Sequence, residues 1–139
     1  GVKDSSGNWA DMQAVARALP GFRTFAGTEQ YLLAALNEGG AGCITATGNA
    51  TSNLCQAVYA AHLAGDRSGA EAAQEVSTAA RLMLQAHGAV PAMKELLAQN
   101  TGDAAWRNMR PPIMPLSADG VAALDKACQA MNFKLAEAA

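Results

Sequence analysis

The first fifty residues alternate between short apolar strands and amphipathic helices, and this alternation restricts the fold more than any other feature. Strands are predicted at residues 1–3, 22–26 and 43–47, with one helix between each pair. Short strands that alternate with single helices through short connecting segments are typical of parallel strands joined by crossover helices. Three apolar strands cannot cover both faces and both edges of their own sheet. We therefore expect them to be part of a larger α/β sheet.

The remainder of the chain is predicted to be helical. From residue 54 to residue 97, and again from residue 121 to residue 135, apolar residues recur at helical spacing, and the proline-rich residues 110–115 are predicted to form an extended segment between these helices. Ser68 and Glu71 have the spacing of a capping box that begins one helix, and Val76 is predicted to face inward on that helix. Ser117 is predicted to cap the last helix. We divide the chain into residues 1–51, which hold the strands, and residues 52–139, a C-terminal helical region.

Composition excludes several classes of protein. The chain has 139 residues, half of them hydrophobic, and a formal charge of -2 without a basic stripe, so we expect no nucleic-acid partner. No apolar run approaches the roughly 20 residues that cross a bilayer, and we expect no membrane association. The three cysteines are odd in number and widely spaced, which fits neither a disulfide framework nor a metal site. A reduced, cytoplasmic setting is predicted.

Lys3 is the residue best placed to carry chemistry. Most lysines are solvated surface charges, but Lys3 stands at the carboxyl end of a predicted parallel strand, where α/β barrels place their active sites. Desolvation at that place would disfavour the ammonium form. A neutral amine can attack a ketone, and the protonated Schiff base then accepts electrons. The neighbouring Asp4 is expected on the opposite face, where it would support the turn.

Four segments together resemble a known family. They are Gly-Val-Lys-Asp-Ser-Ser-Gly (1–7), Phe-Ala-Gly-Thr-Glu (25–29), Gly-Cys-Ile-Thr-Ala-Thr-Gly-Asn (42–49) and Arg-Pro-Pro-Ile-Met-Pro-Leu (110–116). In this order they resemble the dihydrodipicolinate synthase and N-acetylneuraminate lyase superfamily of class I, Schiff-base aldolases. The resemblance implies an α/β fold, namely the C-terminal part of a TIM (β/α)8 barrel. About the last three strands of the barrel would be present, followed by a C-terminal helical region.

The resemblance also implies roles for individual residues. Lys3 matches the imine-forming lysine, and Gly27 matches the glycine that ends the next strand beside the substrate. Thr28 and Glu29 fall where sugar-acid members contact distal hydroxyls, although helix capping and dipole complementarity are an equal alternative. Ile44 matches a residue packed near the imine, and an ordinary core role is compatible with that. The resemblance implies no metal and no separate cofactor, because the lysine itself holds the electrons.

Parts of the family pattern are not matched. Its proton-shuttling tyrosine and the hydroxyl pair that binds the substrate carboxylate belong to earlier strands, and Tyr31 and Tyr59 do not match that tyrosine. A barrel needs eight strands and typically about 250 residues. Together with a first residue that is Gly and not Met, this leads us to expect the C-terminal portion of a longer polypeptide, with the N-terminal half of the barrel as its partner.

These observations favour a class I aldolase or lyase that cleaves or forms a carbon-carbon bond in a 2-oxo acid of the pyruvate type, on a sugar acid or related substrate. One alternative is a condensation of pyruvate with an aldehyde, as in dihydrodipicolinate synthase. An alternative of another class is an inactive fragment or a non-catalytic helical interaction module, with the apolar stripe at residues 121–135 as its binding surface. The resemblance further implies a homotetramer.

Overall fold

The structure is a computed structural model and describes residues 1–135. These residues form three β-strands, which span Val2–Asp4 (β1), Thr24–Ala26 (β2) and Gly42–Cys43 (β3). They also form six α-helices, which span Trp9–Ala18 (α1), Leu32–Asn37 (α2), Gly48–Leu63 (α3), Arg67–Ala86 (α4), Ala89–Thr101 (α5) and Ala118–Ala130 (α6). Short 3₁₀ turns lie at Glu29–Tyr31 and Ala104–Arg107.

The three strands form one parallel sheet in the order β1-β2-β3. The chain crosses from β1 to β2 through α1, and from β2 to β3 through the first 3₁₀ turn and α2. The predicted alternation of parallel strands and crossover helices is therefore confirmed. Within residues 1–135, the outer edges of β1 and β3 pair with no further strand.

The predicted third strand was too long. It was expected over residues 43–47, but β3 ends at Cys43. The β-branched residues Thr45 and Thr47 direct their hydroxyls to a buried carboxylate instead of continuing the strand. Helix α3 consequently begins at Gly48, so the predicted division after residue 51 falls inside α3. At that point the backbone of Thr51 departs from helical geometry, with φ -122°.

Asp66, and not Ser68, caps the fourth helix. The Asp66 side chain accepts a hydrogen bond from the Gly69 N–H at 3.0 Å, and α4 begins one residue before Ser68. The capping-box prediction was wrong because an acidic residue two positions earlier reaches the same group of free N–H donors. The Ser117 cap is confirmed, since its hydroxyl accepts from the Gly120 N–H at 3.1 Å.

Helix α4 is the central element of the helical region. It packs against α3, α5 and α6. Its fully buried Leu84 meets Leu124 of α6 in the main apolar cluster. The prediction that Val76 faces this core was wrong, because Val76 is 54% exposed and the buried face runs through Ser77 and Ala80. Within the described residues, no helix is long and apolar enough to cross a membrane.

We predict that Leu84→Ala destabilises the protein by about 2–5 kcal/mol, because it removes fully buried methyl groups and leaves a cavity. Leu82 lies on the same helix but is 47% exposed, so Leu82→Ala is the matched control and should cost about 0.5 kcal/mol or less. The free energy of unfolding from urea denaturation measures both changes. Equal losses in the two variants would contradict the described orientation of α4.

Candidate functional site

One face of the sheet carries Lys3. In the register of the sheet, Lys3 pairs with Phe25, and Phe25 pairs with Gly42. Successive residues of a strand point to opposite faces, so these three residues share one face. The other face carries Ala26 and Cys43, which pack in a cluster with residues of α1 and α2. Lys3 therefore lies on the face directed away from the crossover helices, which corresponds to the inside of an α/β barrel.

The pairing of the strands continues one step past their ends. The Gly27 N–H donates to the carbonyl of Asp4 at 2.7 Å, and the Ile44 N–H donates to the carbonyl of Ala26 at 2.9 Å. Gly27 and Ile44 each stand two residues after a member of the Lys3 row, so they lie on the same face as Lys3. The structure thus brings three of the predicted site residues together at the carboxyl ends of neighbouring strands.

This face is open to solvent. Lys3 is exposed, and Ile44 is 48% exposed. The expectation that Lys3 is withdrawn from water is therefore not met within residues 1–135. The physical reason is that no second layer covers the Lys3 face of a three-stranded sheet in the part of the chain that the structure describes. Desolvation of the amine requires additional residues over this face.

Gly27 lies against the backbone at the end of β1. A Cβ atom at this position would lie 2.5 Å from the carbonyl oxygen of Asp4 and 2.8 Å from the Cα of Ser5. Both are backbone atoms that cannot move without separating the strands. Steric fit therefore requires glycine here, and the absent side chain also leaves the Lys3 face unobstructed at this point.

Asp4 supports the turn after β1, as predicted. Its carboxylate accepts a hydrogen bond from the Ser6 N–H at 2.7 Å. Hydrogen bonds from the hydroxyl and the N–H of Ser6 lower the pKa of the Asp4 carboxyl below its ordinary value. This carboxylate therefore has a local structural role on the face opposite Lys3.

Thr28 caps the 3₁₀ turn that follows Gly27. Its hydroxyl accepts a hydrogen bond from the Gln30 N–H at 3.3 Å, and the residue is 8% exposed. Capping is thus a role that the structure gives to Thr28. A contact between Thr28 and a substrate stays a prediction.

Glu29 is fully buried in a polar cluster. One carboxylate oxygen accepts hydrogen bonds from the hydroxyls of Thr47 at 2.5 Å and Thr51 at 2.9 Å. The other accepts from the Thr45 hydroxyl at 2.8 Å and lies 3.4 Å from Nη1 of Arg81. We refer to these five residues as the Glu29 cluster. Glu29 has no exposed surface, and internal partners occupy its carboxylate. The predicted contact of Glu29 with a substrate stays a prediction.

Arg81 is the member of this cluster that sequence analysis did not identify. Its Nη1 donates to the Thr47 hydroxyl at 2.7 Å, while its buried Nε finds no acceptor among the described residues. The available signal was an arginine between Ala80 and Met83, which the apolar spacing places on the inner side of this helix. A charged residue beside the inner face of a helix indicates a buried partner of opposite charge.

A polar depression of about 230 Å³ adjoins Gly27 at the ends of β1 and β2. Its walls come from the two segments that follow these strands and from α4. The lining residues are Ser5, Gly7, Gly27, Thr28, Gln30, Tyr31, Arg81 and Gln85. Hydroxyl, amide and guanidinium groups of this kind suit a small hydroxylated or acidic molecule.

Comparison with known proteins finds one family whose model matches nearly the whole chain. Residues 1–131 match the dihydrodipicolinate synthetase family. An uncharacterized DapA-like lyase of Chloroflexus aurantiacus is 38% identical over 125 residues, which cover 89% of this chain and 40% of that protein.

Solved structures have the same fold. YagE of Escherichia coli K12, a prophage protein of the dihydrodipicolinic acid synthase family crystallised with pyruvate, superposes with a TM-score of 0.80 at 23% identity over 96% of this chain and 46% of YagE. The N-acetylneuraminate lyase of Aliivibrio salmonicida gives a TM-score of 0.76 at 27% identity over 96% of this chain and 44% of the lyase. The chain corresponds to the C-terminal part of their TIM barrel, which confirms the predicted fold class. It spans less than half the length of each of these relatives.

We predict that Gly27→Ala destabilises the protein by about 1–3 kcal/mol, because the added methyl group would overlap backbone atoms of Asp4 and Ser5. Gly120→Ala is the control. A Cβ at Gly120 meets its nearest atom at 3.4 Å, and alanine is the better helix former, so this variant should be neutral or slightly stabilising. Urea denaturation compares them, and a neutral Gly27→Ala would be inconsistent with the close approach of the strands.

We predict that Glu29→Gln costs about 3–5 kcal/mol, because it leaves the guanidinium of Arg81 without its buried counter-charge. Adding Arg81→Met should restore part of the loss. The control is Glu71→Gln, which breaks an exposed ion pair with Arg67 and should cost less than about 1 kcal/mol. If denaturation midpoints shift equally for Glu29→Gln and Glu71→Gln, the Glu29 cluster does not stabilise the fold as described.

Proposed function

The chain belongs to the dihydrodipicolinate synthetase family, and from this premise we propose that it is the C-terminal part of a class I aldolase or lyase. The substrate is a 2-oxo acid of the pyruvate type, and the reaction cleaves or forms a carbon-carbon bond, on a sugar acid or a related compound. Two relatives support this choice: one was crystallised with pyruvate, and another is an N-acetylneuraminate lyase.

The observation that carries the proposal is the shared face of Lys3, Gly27 and Ile44. The three residues occupy neighbouring parallel strands at their carboxyl ends, where enzymes with this architecture hold substrates. Lys3 supplies an amine, Gly27 leaves space beside it, and Ile44 supplies an apolar surface. An imine would need these three properties in one place.

The proposed reaction proceeds through a Schiff base. The neutral amine of Lys3 attacks the ketone carbon, water leaves, and a protonated imine forms. The substrate hydroxyl next to the scissile carbon-carbon bond then loses its proton, the bond breaks, an aldehyde leaves, and the electron pair of the bond moves to the imine to give an enamine. Protonation and hydrolysis release the 2-oxo acid and regenerate Lys3. This sequence uses no metal and no separate cofactor, because the imine itself accepts the electron pair.

Several groups in this proposal lie outside the described residues. A group that relays protons, groups that bind the substrate carboxylate, and the layer that covers Lys3 would come from the N-terminal half of the barrel in a longer polypeptide. A homotetramer and a cytoplasmic location are further parts of the same proposal. Within the chain, Thr28 and the polar depression beside Gly27 are the candidates for contact with the distal part of the substrate.

A second candidate within the same class is a synthase that condenses pyruvate with an aldehyde. The match to the dihydrodipicolinate synthetase family favours it. Both candidates share the Schiff base of Lys3 with pyruvate and differ in the aldehyde. Activity assays distinguish the two candidates. Turnover of sugar acids supports the first, and consumption of pyruvate together with an aldehyde supports the synthase.

The non-catalytic alternative relied on the apolar stripe at residues 121–135 as a binding surface. Leu124 is 0% exposed and Cys128 is 8% exposed, and both pack in the main apolar cluster. The centre of the stripe is thus occupied by the core of the chain itself. This packing does not favour a helical interaction module.

We predict that borohydride reduction of the full-length protein in the presence of pyruvate attaches a stable adduct to the peptide containing Lys3. Lys3→Ala should abolish the adduct, because Lys3 is the only lysine on the strands that residues 1–135 form. The exposed Lys126 of α6 provides the control, and Lys126→Ala should retain full labelling. Peptide mass mapping locates the adduct. Labelling that survives Lys3→Ala, or a folded wild-type protein that is never labelled, would overturn the proposed function.

A further inference from the structure

The guanidinium of Arg81 has one edge without a partner. Within residues 1–135, its hydrogen bonds all come from Nη1, which donates to Thr47 at 2.7 Å and to Thr45 at 3.3 Å and lies 3.4 Å from the Glu29 carboxylate. The buried Nε finds no acceptor in this part of the chain. Nε and Nη2 form the second edge of the planar group, and the two donors of such an edge fit a carboxylate or a phosphate. Arg81 therefore keeps an unused pair of donors.

Two other arginines show what this edge does when a carboxylate reaches it. Arg107 donates from Nε and Nη2 to the two oxygens of Glu95 at 2.7 and 2.8 Å. Arg17 binds Glu38 with the same two atoms at 3.0 and 2.6 Å. In Arg81 the buried carboxylate contacts Nη1 instead, at a distance beyond the roughly 2.7–2.9 Å of a charge-assisted hydrogen bond. The positive charge of Arg81 is therefore only partly compensated.

Arg81 borders the polar depression beside Gly27 and is the only charged residue among those that line it. The other polar groups of the lining are hydroxyls and amides. The depression has a volume of about 230 Å³, compared with roughly 30 Å³ for one water molecule in the liquid, so it holds a group of several heavy atoms. A single positive charge among neutral polar groups favours an anionic group over a neutral or cationic one.

Contacts inside the chain hold the walls of this depression. The Tyr31 hydroxyl donates to the carbonyl of Gly7 at 3.3 Å, and the Tyr31 ring lies 5.8 Å from the ring of Trp9. The Gly27 N–H donates to the carbonyl of Asp4 at 2.7 Å. The segments after β1 and β2 are thus joined to each other. The depression lies over the paired ends of these two strands and not along an outer edge of the sheet.

We propose that the Nε and Nη2 edge of Arg81 binds a carboxylate or phosphate on the aldehyde portion of the substrate, so that Arg81 determines specificity for an anionic aldehyde. This inference rests on the proposed aldolase function and adds the charge of that portion. Gly27 lies on the same face as Lys3 and also lines the depression. A substrate joined to Lys3 therefore reaches Arg81 past a residue that has no side chain. No bond forms or breaks at Arg81.

The test compares matched aldehydes with the full-length protein at saturating pyruvate. Glyceraldehyde 3-phosphate is paired with glyceraldehyde, and 4-oxobutanoate is paired with butanal, so that the members of each pair differ mainly in one anionic group. We expect kcat/KM for the anionic member of a pair to exceed that for the neutral member by roughly tenfold or more, as is usual for hydrogen bonds to a charged group. A preference in the first pair identifies a phosphate, and a preference in the second identifies a carboxylate.

Two variants locate the anionic group. Gln85→Glu adds a negative charge to the depression from an exposed position of α4 and should reduce the preference roughly tenfold. Gln129→Glu adds the same charge on the exposed side of α6 and should keep the preference. Arg81→Lys retains the charge opposite Glu29 but lacks the two-donor edge, so the preference should again fall roughly tenfold. Urea denaturation checks that Arg81→Lys is folded, and Gln85→Glu tests the site without changing the buried cluster. A purely structural effect would slow both members of a pair equally.

Borohydride labelling of Lys3 with pyruvate separates two kinds of failure. A protein that is labelled at Lys3 but uses neither anionic aldehyde faster than its neutral partner contradicts the role of Arg81 and leaves the proposed function intact. A folded protein that is never labelled contradicts the proposed function, and this inference is rejected with it. A preference that survives both Gln85→Glu and Arg81→Lys shows that the anionic group binds elsewhere, which also excludes the role assigned to Arg81.

Discussion

A buried carboxylate determines the paths of the segments around the candidate site. An isolated charge inside a protein is strongly unfavourable, so Glu29 is stable there only because hydroxyls and a guanidinium surround it. Its partners come from the segment after β3, from α3 and from α4. A single side chain after β2 therefore connects the sheet to the helical region.

The sheet shows how parallel pairing creates a site from residues far apart in sequence. Lys3, Gly27 and Ile44 share a face because the three strands run in the same direction and in one register. In an antiparallel arrangement, the carboxyl ends of neighbouring strands would lie at opposite ends of the sheet. The parallel sheet also explains why Lys3 is exposed. Its Lys3 face corresponds to the inside of a barrel, and such a face is exposed to solvent unless further strands enclose it.

Local signals allowed much of this arrangement to be predicted from the sequence. Alternating short apolar strands and helices indicated the parallel sheet, and Ser117 indicated the start of α6 because a cap depends on a few neighbouring residues. The length of β3 could not be predicted in this way. Thr45 and Thr47 have high β-propensity, and only the distant Glu29 and Arg81 draw them out of the strand pattern.

The same limitation applies to the site itself. Lys3 was identified from its position at a strand end, but its exposure within residues 1–135 was not predicted. The burial of Glu29 depends on Arg81, which follows it by 52 positions. The helical pattern indicates that Arg81 needs a buried partner, but it does not identify Glu29 as that partner, because the contact is tertiary.

The brevity of β3 has an evolutionary consequence. Main-chain pairing ends with the N–H of Ile44, and side-chain hydroxyls direct the segment that follows. Main-chain pairing survives most substitutions, whereas a hydroxyl is gained or lost in a single mutational step. Diverging descendants can therefore change the direction of this segment while the barrel architecture is inherited unchanged.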